Sequence, residues 1–270
     1  LDADRFDYLQ RDGLNCGASY GTFAPDWLIH NIYIAEQGGH LYLSHKALAA
    51  AEEYVLARYH MYRAVYLHKT TRAAEAMLHA LLARFRDLVR KYETLEGVRR
   101  IIPDCPKVMF DSFSKPMNLA EYLNLDDALL IAFFHNCADA DDRVLADMGR
   151  GLLNRRLFKV IDASDHFDPG LAESRGFSDK ACTILEKAGF DPRFYFFMDA
   201  PVDVPYKHYK PAADKHHQIL IQDKAGAIRE LSELSPAVRA LAREYKLKRY
   251  FFPREVETDI RALWAKCIKG

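Results

Sequence analysis

From Lys46 to Leu95 the chain runs for fifty residues without a glycine or a proline, in a stretch rich in Ala, Leu, Arg and Glu. Apolar residues recur there at spacings of three and four, the period of an amphipathic helix, so the segment must be largely helical. Its length exceeds an ordinary globular helix. A break is expected near His68-Lys69-Thr70-Thr71, with Thr70 or Thr71 capping the second helix. Two consecutive helices of this size make the fold mainly α.

Around this stretch the punctuation predicts shorter elements. Asp4 to Arg11 has helical spacing, with Phe6, Leu9 and Gln10 on one side, Asp4, Tyr8, Arg11 and Asp12 on the other, and Gly13 as its end. Asn15 to Phe23 reads as a loop, and Pro25-Asp26 opens a helix through Ile34. Gln37 to His40 is a turn, flanked by Ile32-Tyr33-Ile34 and Leu41-Tyr42-Leu43 as a small hairpin, or as a helix end and one strand. Asn118 to Leu125, Asp126 to Cys137 and Asp139 to Leu153 read as helices. Beyond Phe158, Gly and Pro are scattered from Asp165 to Ser178, and a helix from Asp179 to Ala188 closes at Gly189. Phe194 to Met198 and His217 to Ile221 are β-prone, Ser232 to Tyr245 reads as a helix, and Arg249 to Phe252 as a strand. The expected organisation is a helical body over 1–160 and a small α+β lobe over 161–270.

The 270 residues carry 38 Lys plus Arg against 38 Asp plus Glu, so no global field recruits nucleic acid or an anionic membrane, and any anion site is local. Apolar runs such as Ala128 to Phe134 are far shorter than a membrane span. The five cysteines are widely separated and never in a C-x-x-C spacing, which argues for a reduced, cytoplasmic protein without a disulfide framework or structural zinc. The chain opens on Leu1-Asp2-Ala3-Asp4-Arg5 with neither an initiator Met nor a signal-peptide pattern, and is read as part of a longer protein.

Two clusters carry candidate chemistry. On the opening helix, Asp4, Tyr8, Arg11 and Asp12 share a face beside Arg5. Carboxylates, a phenol and guanidinium groups there suit a metal, a sugar and phosphates, or else form an exposed face laced with ion pairs. In the long segment, Arg58, Tyr62 and Tyr66 recur every four residues ahead of His68-Lys69. Arg offers a planar fork for phosphate oxygens and Tyr a ring face for sugar or base, whereas a Tyr stripe at this spacing also serves core packing. His208 and His216-His217 lie in a polar stretch and read as solvated. Asp139 to Asp142 lacks the glycine and closing glutamate of a calcium loop. Lys246 to Arg249 reads as the charged flank of an edge strand, with single-stranded nucleic acid as the alternative. No P-loop or dinucleotide-binding glycine pattern is present.

The string Asp2-Ala3-Asp4-Arg5-Phe6-Asp7-Tyr8-Leu9-Gln10-Arg11-Asp12 resembles the D-x-D-[KR]-x-D-Y-x-x-R-D segment of HD-domain deoxynucleoside triphosphate triphosphohydrolases. Arg58, Tyr62 and Tyr66-Leu67-His68-Lys69 resemble that family's R-x-x-x-[HY]-x-x-x-Y-x-H-K, and Arg155-Arg156-Leu157-Phe158-Lys159 its R-x-L-F-K element. The resemblance implies an HD-type helical body with an α+β C-terminal lobe, and hydrolysis of a deoxynucleoside triphosphate to deoxynucleoside and inorganic triphosphate. It makes Asp4 a ligand of a divalent metal of unspecified identity and sets Arg5 and Arg58 against the phosphates as catalytic groups. Tyr8 and Asp12 fall at the deoxyribose, Tyr62 and Tyr66 along phosphates, sugar and base, and His68 with Lys69 near the base. Arg155 and Lys159 match residues that bind an activating nucleotide between subunits in regulated members, which implies a homo-oligomer, tetramer or dimer. The family's metal also needs a His and a His-Asp pair. None of the eleven histidines here precedes an Asp, His135-Asn136 being the nearest, so those ligands are expected upstream of Leu1. The rival readings are a non-catalytic nucleotide-binding regulator of the same fold, an HD phosphohydrolase acting on another nucleotide, and a helical oligomerisation module.

Overall fold

A computed structural model of the chain describes residues 2–36, 38–164, 171–203, 218–241 and 245–269. The fold is mainly α with a smaller sheet part. The chain divides into two compact units, Leu1–His68 with Pro201–Lys246, and Lys69–Ala200 with Leu247–Gly270. The chain passes between the units after His68, Ala200 and Lys246.

In the first unit the opening helix Ala3–Asn15 begins where extended Asp2 accepts a hydrogen bond from the Asp4 backbone N–H at 3.1 Å. It buries Phe6, Leu9 and Gly13, one stripe along the helix. Gln10, expected beside Leu9, is exposed, and Arg11 turns to Asp7 at 2.8 Å. The helix also passes through Gly13 instead of ending there. A Cβ at Gly13 would lie 3.1 Å from the Ala18 carbonyl oxygen, so this glycine serves close packing, and the left-handed Gly17, φ 66°, follows the true end at Cys16.

The helix Pro25–His30 stops four residues earlier than expected, since Ile32–Ile34 pairs antiparallel with Leu41–Leu43 as the hairpin alternative requires. Leu220–Gln222, parallel to Leu41–Leu43, and Ile228–Glu230 extend this to four strands. The expected helix from Ser232 is cut into Leu231–Leu234 and Pro236–Leu241, because Pro236 has no N–H to continue the ladder, and Tyr245–Lys246 is a strand. Phe6, Leu9, Leu28, Leu43, Tyr54, Met61, Ile221 and Leu231 meet in one apolar core.

The fifty-residue stretch is helical as its composition dictates: Leu48–Met61, a π turn over Tyr62–Tyr66, and the 24-residue helix Lys69–Tyr92. The break falls at Leu67-His68, so Thr70 and Thr71 stand inside the first turn of the second helix instead of capping it.

In the second unit Lys69–Tyr92 buries Ala73, Met77, Ala80, Leu81, Phe85, Leu88 and Val89 beneath Asp127–Ala138 and Arg143–Leu153. Gly149 permits close helix contact, as a Cβ there would come within 2.7 Å of the Ala138 nitrogen. The helix expected from Asp139 starts at Arg143 because Asp142 caps it, accepting from the Leu145 N–H at 3.1 Å. Leu119–Tyr122 is a single turn held by an Asn118–Glu121 capping box. Helices Leu95–Arg99 and Lys107–Ser114 and strand Lys159–Asp162 had no forecast in the periodicity.

The β-prone run at Phe194 divides into a turn of helix, Pro192–Tyr195, and a strand, Phe197–Asp199. Arg249–Phe252 is a central strand, flanked by Lys159–Asp162 and Phe197–Asp199, and not the expected edge. All four of its residues are buried, Arg249 being neutralised by Asp162 at 2.7 Å. The helix Phe177–Lys187 ends as forecast near Gly189, φ 79°. Among the described residues no helix is long and apolar enough to cross a membrane. His208, His216, His217 and the stretch 165–170 lie outside them.

Candidate functional site

The opening helix and the tyrosine-bearing end of Leu48–Met61 belong to the same unit, and they bring together side chains about fifty residues apart in sequence. Tyr66 Oη donates to Asp12 Oδ2 at 2.8 Å. The Tyr66 ring stands edge-on to Tyr62, centroids 5.1 Å apart, and to Tyr8 at 6.2 Å. The Arg58 guanidinium carbon lies 5.0 Å from the centre of the Tyr62 ring, a cation–π contact. Tyr8, Asp12, Arg58, Tyr62 and Tyr66 therefore form one partly exposed cluster.

The π turn explains how three residues spaced by four keep one orientation. Each four-residue step overshoots an α-helical turn by roughly 40°. The wider turn, closed by Leu67 N–H to the Tyr62 carbonyl at 2.7 Å, takes up that drift between Tyr62 and Tyr66. Sequence spacing registers the stripe but not the turn, whose signature is a main-chain hydrogen-bond pattern.

Burial pushes the Tyr8 phenol up to about 12, with the Tyr62 hydroxyl adding to the effect and Arg58 and Arg5 opposing it. Tyr66 is raised as well, by burial and by its bond to Asp12. Both phenols are thus neutral hydroxyls at physiological pH. Asp12 accepts from Tyr66 through one oxygen, and its other oxygen can accept a ligand hydroxyl.

Arg5 sits on the same helix, its Nε 3.2 Å from Asp2 Oδ2 and its side chain 35% exposed. Asp4 is exposed on the first turn. Among the described residues no group of three or more His, Cys, Asp or Glu side chains is placed to hold a metal ion, so Asp4 is at most one ligand and these residues do not form a metal centre by themselves. His68 is exposed beyond the π turn, and Lys69 begins the second unit.

Arg155 and Lys159 both lie in the second unit. Arg155 is exposed, with a left-handed backbone, φ 53°, just past the helix ending at Leu153. Lys159 is engaged by Glu257 at 3.0 Å, and Arg261 holds the same carboxylate at 2.9 Å. These two cations keep the Glu257 carboxyl below the usual carboxylate range.

A cleft of about 480 Å³ lies at the other end of the opening helix, against Gln10, Leu14, Gly17 and Gly21. Of the candidate residues on the opening helix Arg11 lines it, whereas Asp4, Arg5, Tyr8 and Asp12 do not. Tyr54, at the same spacing one turn before Arg58, serves core packing, buried against Phe6 and Phe23.

Residues 26–101 match the family model described as "HD associated region", which spans Arg58, Tyr62, Tyr66 and His68. The chain is 30% identical over 261 residues to the uncharacterized protein YwfO of Bacillus subtilis, covering 96% of this chain and 57% of that one. It is 26% identical to an uncharacterized protein of Methanocaldococcus jannaschii, over 89% of this chain and 46% of its relative. The chain thus spans about half the length of these curated relatives. Its fold is similar to a phosphohydrolase from Bacteroides thetaiotaomicron, with a TM-score of 0.74, 24% identity, and coverage of 94% of this chain and 61% of that one.

Proposed function

The HD-associated region and the shared fold support the HD superfamily, and we propose that this chain supplies the nucleotide-binding part of a phosphohydrolase that cleaves deoxynucleoside triphosphates to deoxynucleoside and inorganic triphosphate. The observation that carries the reading is the Tyr66–Asp12 hydrogen bond, which joins two motif blocks resembling the triphosphohydrolase family in one cluster of phenols, carboxylate and guanidinium. In this reading Arg58, held over Tyr62, and Arg5 neutralise the phosphate chain with permanent charge and planar donor forks. Asp12 accepts a sugar hydroxyl through the oxygen not used by Tyr66. The Tyr8 and Tyr66 rings wall the sugar closely and select against the extra hydroxyl of a ribonucleotide. His68 stands toward the base. The divalent ion implied by the motif resemblance requires ligands beyond Asp4, and no step is assigned to it from these residues. Arg155 and Lys159 are proposed as the contact for an activating nucleotide in a homo-oligomer.

The test is to incubate the intact protein with each deoxynucleoside triphosphate and a divalent cation, singly and in mixtures, and to identify the phosphate product. Intact triphosphate supports the reading. Release of orthophosphate or pyrophosphate assigns another phosphohydrolase reaction, and nucleotide binding without turnover assigns a regulatory protein.

A further inference from the structure

Asp127–Ala138 is apolar nearly all round, and of its 12 residues only Asp127, His135 and Asn136 are polar. A helix of that composition is ordinarily covered on every side. Here only Phe133, Cys137 and Ala138 are buried. The exposed positions are Asp127, Ala128, Ile131, Ala132 and His135, one stripe repeating every four residues along the outer face. Ile131, at its centre, is 52% exposed. The neighbouring helices present charge outward instead, Arg143 and Arg150 on Arg143–Leu153, and Arg86, Arg90 and Lys91 on Lys69–Tyr92.

The turn ahead of this helix adds apolar surface. Leu119, Tyr122 and Leu123 are 72%, 63% and 69% exposed. Leu123 closely precedes Asp126, whose carboxylate caps the helix by accepting from the Leu129 N–H at 2.8 Å. Large apolar side chains exposed in one region mark a binding surface. A bilayer is not what covers it, since the helix is only about 18 Å long.

The stripe is complementary to its own copy. Asp127 and His135 stand one on either side of Ile131, each about 6 Å from it along the helix axis. A two-fold axis through Ile131 runs two such helices antiparallel and sets each Asp127 against the partner's His135, a carboxylate against a ring N–H. It keeps the two Asp127 carboxylates about 12 Å apart along the axis and opposes the helix dipoles favourably. Ile131 then meets its own copy, and the small Ala128 and Ala132 let the two backbones approach. A parallel arrangement sets aspartate against aspartate. We propose that the outer face of Asp127–Ala138 is a homodimer interface, centred on Ile131 and keyed by the Asp127–His135 pair. It gives the proposed homo-oligomer a surface and does not depend on the deoxynucleotide reading.

The experiment is sedimentation of the intact protein from about 0.1 to 100 µM, the range that resolves a micromolar Kd. Wild type is expected to be a dimer or a multiple of one. Ile131→Asp sets two carboxylates together at the two-fold axis and should weaken self-association by at least about 30-fold, the scale of a central interface residue. Asp127→Lys and His135→Asp each leave mismatched groups facing one another, and each should weaken it about 10-fold because one substitution alters two contacts of a symmetric pair. Mixed together, these two variants should associate about as well as wild type. In the mixed dimer the introduced lysine meets the introduced aspartate, and native Asp127 meets native His135. Recovery on mixing also shows that both variants are folded. A monomeric wild type, or unchanged association in Ile131→Asp, overturns the interface. Dissociation of both charge variants without recovery on mixing overturns the antiparallel pairing and assigns the face to another partner. A dimer broken by Ile131→Asp, in a protein that hydrolyses no deoxynucleoside triphosphate, supports the interface and rejects the proposed reaction. A monomeric wild type that releases intact triphosphate does the reverse.

Discussion

Tyr66 Oη donates to Asp12 Oδ2 at 2.8 Å across 54 residues of sequence. The bond fixes the end of the π turn to the opening helix and leaves one carboxylate oxygen available. Tyr66→Phe removes a charge-assisted bond at a partly buried position and should destabilise the protein by about 1–2 kcal/mol. A thermal unfolding curve checks this, and an unchanged Tm would show that the bond is not maintained in solution.

Alkaline pH tests the phenol environment. The folded state holds the Tyr8 proton up to about 12 against an ordinary value of 10, so the associated stability is fully present below pH 10 and is lost as pH rises toward 12. Tyr66 is shifted in the same direction. Urea unfolding measured across this interval should show falling stability, and Tyr8→Phe should make the fall shallower. An identical slope in the variant contradicts the assignment.

Arg58 faces Tyr62 with its guanidinium carbon 5.0 Å from the ring centre. Arg58→Ala should reduce kcat/KM for a triphosphate substrate by about 100-fold, the size of a lost charge-stabilising donor, while Arg58→Lys recovers only part because it lacks the planar fork. Steady-state kinetics on both variants decide the point, and wild-type kinetics in Arg58→Ala would exclude the role.

Gly21 packs against the opening helix so closely that a Cβ would lie 2.5 Å from the Leu9 carbonyl oxygen. Gly21→Ala therefore forces the 3-10 turn Ser19–Gly21 away from that helix and should cost about 1–3 kcal/mol. Denaturant titration measures the loss, whereas Gly226→Ala, at a turn with open space around it and φ 88°, should show only backbone strain of about 1–2 kcal/mol.

Lys159 is held by Glu257 at 3.0 Å, so an anionic activator at this residue has to displace a carboxylate. Glu257→Gln should lower the activator concentration needed for half-maximal stimulation while changing stability by less than about 1 kcal/mol. A titration of activity against activating nucleotide provides the readout, and a higher requirement in the variant would place the activator elsewhere.

Several of these features were legible in the residues alone. The absence of Gly and Pro from Lys46 to Leu95 dictates helix, because helix formation is local and every residue there tolerates it. The stop near Gly189 and the caps at Asn118 and Asp126 follow equally from short-range chemistry. The motif blocks likewise marked Asp12, Arg58 and Tyr66 as candidates of related chemistry. Other outcomes depended on what packs against each residue. Gly13 reads as a helix end and is instead a contact point, since Ala18 and Gly21 approach it. Arg249 to Phe252 reads as a charged edge and is a buried central strand, since Asp162 compensates the arginine. The Tyr66–Asp12 bond belongs to the same class. Its partners are distant in sequence, and a one-dimensional pattern records the residue types but not which of them meet.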